Sequence, residues 1–76
     1  INLSTIRENI GSIVKGGAAK KKGSGYDLDL DKVGVTKLLG GGSIGDLSIN
    51  ILAQSASQKA IEKVEAAGGT VTIKEQ

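Results

Sequence analysis

The 76-residue chain contains no cysteine, histidine, methionine, phenylalanine or tryptophan. Each absence removes some chemistry. Without Cys and His there is no disulfide, no thiolate nucleophile, no imidazole base and none of the commonest zinc ligands. Lack of Cys is compatible with a reducing compartment. Tyr26 is the only aromatic ring, which argues against stacking of nucleic-acid bases as a binding mode. The core must therefore be built from Ile, Leu, Val and Ala. No apolar run approaches the roughly 20 residues needed to span a bilayer, and no charged-then-apolar secretory signal opens the chain. No membrane partner is expected.

What the chain does have is glycine, lysine and aliphatic residues in a definite pattern. Its 12 glycines add backbone entropy that folding must overcome. At this length residues 1–76 are expected to form a single domain with a small core. Modest stability, or reliance on a partner, is the expectation. The net charge of +2 hides an uneven distribution, because Lys15, Lys20, Lys21 and Lys22 cluster early and Asp27, Asp29 and Asp31 follow directly. That local asymmetry says more about partners than the mean does. The chain opens on Ile1 and not Met, so a processed product or part of a longer protein is expected.

Leu3, Ile6, Ile10, Ile13 and Val14 recur at helical spacing. Thr5 and Glu8 offer a capping box, and Asn2 an alternative cap one turn earlier. Gly16-Gly17 ends that helix. Ala18 to Gly25 reads as a basic loop, mobile for want of an apolar anchor. Tyr26, Leu28 and Leu30 alternate with Asp27 and Asp29, the period of a strand with one buried face. Val33, Val35, Leu38 and Leu39 make a short apolar patch, read as a turn plus one helical turn. Gly40-Gly41-Gly42-Ser43 reads as a flexible connection into a second strand, Leu47 to Ile51.

The clearest signals come last. Ala60, Ile61, Val64 and Ala67 recur at helical spacing, Ser55 and Gln58 have the form of a capping box, and Gly68-Gly69 is a stop. Val71 and Ile73 then alternate with Thr70 and Thr72. Residues 57–67 are expected to be the best-defined helix, with Ile61 and Val64 inside, Glu62 and Glu65 outside, and residues 70–73 extended. The order helix, strand, short helix, strand, helix, strand predicts a small two-layer mixed α/β domain.

Four motifs bear on chemistry. Gly40-Gly41-Gly42-Ser43-Ile44-Gly45 matches G-x-G-x-x-G, but a dinucleotide fingerprint needs a helix after it, and here a strand-like segment follows. A flexible turn, or a close backbone approach to RNA phosphate, fits better. Asp27, Asp29 and Asp31 resemble the opening of a calcium loop. That loop also needs Gly and Glu where Lys32 and Leu38 stand, so a solvated strand face is the reading and no metal is expected. Ser55 and Ser57 are read as caps, since no His activates them and Lys59 lies on a solvent-facing turn. No carboxylate pair stands out. Nothing points to an enzyme, a cofactor or a small-molecule substrate. Lys20-Lys21-Lys22 is either a solvated run or a phosphate-contacting arm that releases counterions on binding.

Three blocks carry a resemblance. The opening Ile1-Asn2-Leu3-Ser4-Thr5-Ile6-Arg7-Glu8-Asn9-Ile10, the central Val33-Gly34-Val35-Thr36-Lys37-Leu38-Leu39-Gly40-Gly41-Gly42 and the closing Val64-Glu65-Ala66-Ala67-Gly68-Gly69 before a strand occur in order over nearly the whole chain. Together they resemble the large-subunit ribosomal protein L-fifteen family, and archaeal members in particular. At two positions the chain departs from the family: Ala56 stands where an aromatic residue is usual, and Gln58 where a basic one is frequent. Contacts at those two positions are not carried over.

The resemblance implies an irregular β-β-α superhelix of the L-fifteen and L-eighteen-e type, preceded in the family by a long basic, Gly-rich extension that threads into RNA. It implies a cytoplasmic, ribosome-bound structural protein whose partners are large-subunit ribosomal RNA and neighbouring ribosomal proteins. The expected phosphate contacts are Lys15, Lys20, Lys21, Lys22, Lys37, Gly40, Gly41 and Gly42, recognising RNA by shape and backbone. Two other classes stay open: a protein-interaction module using a sheet edge or an aliphatic helix face, and a small-molecule enzyme, which would need a pocket with perturbed titrating groups.

Overall fold

The computed structural model describes residues 1–74. Helix α1 spans Leu3–Lys15 and buries Leu3 and Ile6 completely. Asn2 is its N-cap, but by its main chain: its carbonyl accepts from the Ile6 amide at 3.2 Å, while its side chain turns away to the Gly41 amide. Thr5 and Glu8 therefore lie inside the helix and form no capping box. The chain leaves α1 through Gly16 and Gly17.

The expected mobile loop is a strand. Residues Ala19–Lys22 form β1, paired antiparallel with β2, Gly25–Asp29, in the register Ala19 to Leu28 and Lys22 to Gly25. The two-residue connection Gly23-Ser24 has positive φ only at Gly23. That geometry matches the twist of the flanking strands. Ala19 supplies the buried anchor that the lysines lack. The apolar patch that follows also divides differently. A 3₁₀ turn covers Leu30–Val33, capped by Asp29, whose Oδ1 accepts from the Asp31 amide at 3.0 Å. Gly34 in the left-handed region ends it, and β3, Lys37–Leu38, follows as a short strand and not a helical turn.

Strand β4 runs Ile49–Ala53, two residues later than the spacing predicts, and β5 is Ser55–Ala56. Helix α2 spans Gln58–Ala66. Its cap is Ser57, whose Oγ accepts from the Ala60 amide at 3.2 Å. Ser55 is held in β5 opposite Lys37 and cannot serve, so the Ser55–Gln58 box does not form. Val64 is fully buried, Ile61 half-buried, and Glu62 and Glu65 are exposed, as the period requires. Gly68 ends the helix at φ +91, and β6, Thr70–Ile73, closes the described chain.

Four strands form one sheet in the order β1-β2-β4-β6, antiparallel at the first pair and parallel at the other two; β3 and β5 make a separate parallel pair. Side chains alternate across the sheet. The register places Ala19, Tyr26, Leu28, Ile49, Ile51, Ala53 and Val71 on one face. Leu3, Ile6, Ala60 and Val64 of the helices join the buried members of that face in a single core. Both helices therefore cover the same side. The result is the expected small mixed α/β domain in two layers. Burying a side chain such as Ile51, 1% exposed at the centre of β4, contributes roughly 1.5–3 kcal/mol.

Candidate nucleic-acid interface

The uncovered face of the sheet presents Lys20, Lys22, Asp27, Asp29, Asn50, Leu52, Thr70 and Thr72. A line of polar contacts crosses all four strands there. Lys22 Nζ lies 3.9 Å from Asp27 Oδ2, Asn50 Nδ2 donates to Asp27 Oδ1 at 3.0 Å, and Thr70 Oγ1 donates to Asn50 Oδ1 at 2.9 Å. Lys20 and Lys32 border a shallow depression over Asp27, Asp29 and Leu52. Cations and carboxylates thus alternate on this face, and its net field is weak. With side chains 80% and 44% exposed, the Lys22–Asp27 pair leaves Lys22 free to choose another partner.

The three consecutive lysines do not act as one patch. Lys20 and Lys22 share the open face, whereas Lys21 lies opposite Tyr26 and points to the other side. All three are exposed on an edge strand. Lysines at such a position also keep an unpaired strand edge from joining another sheet. Lys15 is exposed in the last turn of α1, where the helix dipole favours a cation. Lys37 is exposed on β3. The structure does not bring these five lysines into one cluster: they lie on the hairpin, at the end of α1 and on the β3–β5 pair.

The glycine run is not flexible. The Gly41 amide donates to Asn2 Oδ1 at 3.1 Å, and the Gly41 carbonyl accepts from the Ser4 amide at 3.2 Å. Lys63 Nζ donates to the Gly40 carbonyl at 2.8 Å and the Gly42 carbonyl at 2.7 Å. A Cβ on Gly40 would lie 2.8 Å from that of Lys59. The loop is thus seated between the start of α1 and the first turns of α2, and its lack of side chains is fully used by protein contacts. Beside it, Gly40, Gly41, Gly42, Ser57, Gln58, Lys59 and Lys63 line a shallow concavity that contains no carboxylate.

Lys59 and Lys63 were missed as site residues. They stand four apart on α2, a spacing that puts both on one side of a helix, and that spacing was available in the sequence. What the sequence could not show is that the glycine run packs against that side. Arg7, another cation the sequence reading passed over, lies over Gly45, where a Cβ would come within 3.0 Å of its Nε.

The aspartates are dispersed among separate partners. Asp27 meets Asn50, Asp29 caps the 3₁₀ turn, and Asp31 accepts from Lys74 at 2.6 Å and from Gln54 at 3.0 Å. Lys74 and Gln54 hold the Asp31 carboxyl below its ordinary value, and Asp31 in turn raises Lys74. Among the described residues no three His, Cys, Asp or Glu side chains converge as metal ligands. Ser57 is engaged as a helix cap.

A two-layer α/β domain with scattered exposed cations, a pinned glycine loop and no assembled catalytic group defines a docking protein more than a reactive one. Comparison with known proteins gives the family. Residues 1–72 match the model that groups the ribosomal proteins 50S-L15 and 50S-L18e with their 60S counterpart, and the chain belongs to that family. It is 41% identical over 73 residues to the "Large ribosomal subunit protein uL15" of Pyrobaculum neutrophilum, covering 96% of this chain and 46% of the relative. The protein of that name from Methanosphaera stadtmanae is 41% identical over 73 residues, with 96% and 50% covered. That from Archaeoglobus fulgidus is 38% identical over 71 residues, with 93% and 39% covered. The chain spans about half the length, or less, of the curated relatives it matches.

Proposed function

We propose that this chain is the globular docking domain of a longer ribosomal protein, a structural, non-enzymatic constituent of the large subunit in the cytoplasm. The observation that carries the reading is the family match over residues 1–72, supported by archaeal relatives named as large-subunit proteins. Its partners are large-subunit ribosomal RNA and neighbouring ribosomal proteins. The proposed RNA contacts are the ammonium groups of Lys15, Lys20, Lys21, Lys22 and Lys37 and the exposed backbone of Gly40, Gly41 and Gly42. No cofactor takes part.

The mode is electrostatic. Lysines on different sides of the domain suit an RNA pocket that surrounds it, with each ammonium meeting a separate phosphate and the rigid sheet setting their spacing. RNA titration at several salt concentrations tests this. For about four phosphates neutralised, the log–log slope is near −3.6 at roughly −0.9 per phosphate, the duplex-DNA coefficient. Only Lys20 and Lys22 share a face, so Lys20→Ala/Lys21→Ala/Lys22→Ala should remove about half of that slope, or roughly tenfold in affinity between about 50 and 200 mM salt. A wild-type slope near zero would refute phosphate contact. A triple variant with the wild-type slope would take the hairpin out of the interface.

A further inference from the structure

The two edges of the four-stranded sheet are treated differently by the sequence. One edge, β1, carries three consecutive lysines. The other, β6, reads Thr70-Val71-Thr72-Ile73, with no charge and only β-branched side chains. Charge on an edge strand is a device against unwanted strand addition, and β6 has none. The outward hydrogen-bonding groups of β6 can be named. The Lys74 amide donates to the Ala53 carbonyl at 2.7 Å, so Lys74, and by alternation Thr72 and Thr70, turn their main-chain groups to β4. Val71 and Ile73 then aim their N–H and C=O away from the sheet. Ile73 is 44% exposed, the most exposed large apolar side chain among the described residues, and half-buried Val71 lies two positions before it on the helix-covered face.

We propose that β6 is a strand-docking edge for another protein of the large subunit, an extended and uncharged segment that adds as a fifth strand. This rests on the ribosomal reading above. The occupant is protein and not RNA, because residues 70–73 offer no cation to a phosphate but do offer two donors and two acceptors at the spacing of a strand. Its chemistry follows from the edge: main-chain groups opposite Val71 and Ile73, and an aliphatic side chain on the helix-covered face to cover Ile73. A second copy of this chain is disfavoured by that reading, in which each subunit holds one docking position.

The test replaces Ile73 with the photoreactive diazirine analogue photo-leucine, close to it in size and polarity, in the protein assembled into large subunits. Sedimentation with the subunit is measured first. Photolysis should then join position 73 to one ribosomal protein, in a segment that mass spectrometry maps outside any helix, and Ile73→Lys should abolish that docking while still sedimenting. The Val71 and Ile73 amides should exchange rapidly in the free chain, unlike those of Thr72 and Lys74, and become protected in the subunit. Sedimentation with cross-links only to RNA, only to a second copy or to nothing overturns the strand-docking inference and leaves the ribosomal reading intact. Failure to sediment overturns both.

Discussion

Gly69→Ala should be the most damaging single-methyl addition in the Gly68-Gly69 pair, although Gly68 is the residue with positive φ. A Cβ at position 69 would lie 2.8 Å from the amide nitrogen and 2.9 Å from the carbonyl carbon of Ile49, and closer still to its carbonyl oxygen. These are main-chain atoms of the central strand, whose Ile49 side chain is fully buried. Neither can rotate aside. Accommodation requires β4 to separate from the start of β6, so the cost belongs with overpacking, about 1–3 kcal/mol or somewhat more. At position 68 the added methyl would meet only the Ser48 hydroxyl, at 3.0 Å, and the penalty is the left-handed backbone at φ +91, about 1–2 kcal/mol. A domain of this size has a total stability on the order of 4–11 kcal/mol. Gly69→Ala should therefore lower the melting temperature by about 10 °C or more. Thermal and urea unfolding of both variants decide the matter. If Gly69→Ala melts within a few degrees of the wild type, or above Gly68→Ala, the close approach of residue 69 to β4 is wrong.

Two further outcomes follow from the contacts described. Lys63→Met removes both hydrogen bonds to the glycine run, so NMR order parameters should fall across Gly40 to Ser43 while the melting temperature changes little, because Lys63 is exposed; unchanged order there would show that Asn2 and Ser4 suffice to hold the loop. Asp31 has its carboxyl lowered from the ordinary 3.8 by Lys74 and then Gln54, so its contribution is complete above that value and lost as pH falls through the lower folded one. Lys74→Met should flatten the acid side of a urea-midpoint profile taken from about pH 2 to 6, and a parallel profile for the two proteins would refute the pair.

Legibility in the sequence followed the range of the interactions involved. Helix α2 and strand β6 were readable because cap, period and stop are all local, and only the capping serine shifted, from Ser55 to Ser57. The hairpin was not, since lysines have little preference for strands and what makes Ala19 to Lys22 extended is β2 alongside. Its one local signal, Gly-Ser between two runs of matching length, was there to be weighed. Strands β3 and β5 are two residues each and exist only as each other's partner. As for the site, the exposed lysines were evident from composition, but their faces depend on register. That is why Lys21 parts from Lys20 and Lys22, and why Lys59 and Lys63 emerge beside a glycine run whose docking partner lies far away in sequence.

In the main sheet, position in space repeats position along the chain: β1, β2, β4, β6. No strand has to be inserted between two that are already paired. As a ribosome synthesises the chain, each new strand meets its template already made, and the sheet can be laid down from one side, beginning with the hairpin, whose ends are nearest in sequence and cheapest to join. A nascent chain halted before Thr70 would hold three of the four strands, with the outward main-chain groups of Ile51 and Ala53 forming the growing margin. The last strand to arrive covers that margin and hands the same kind of open edge onward, one position further out.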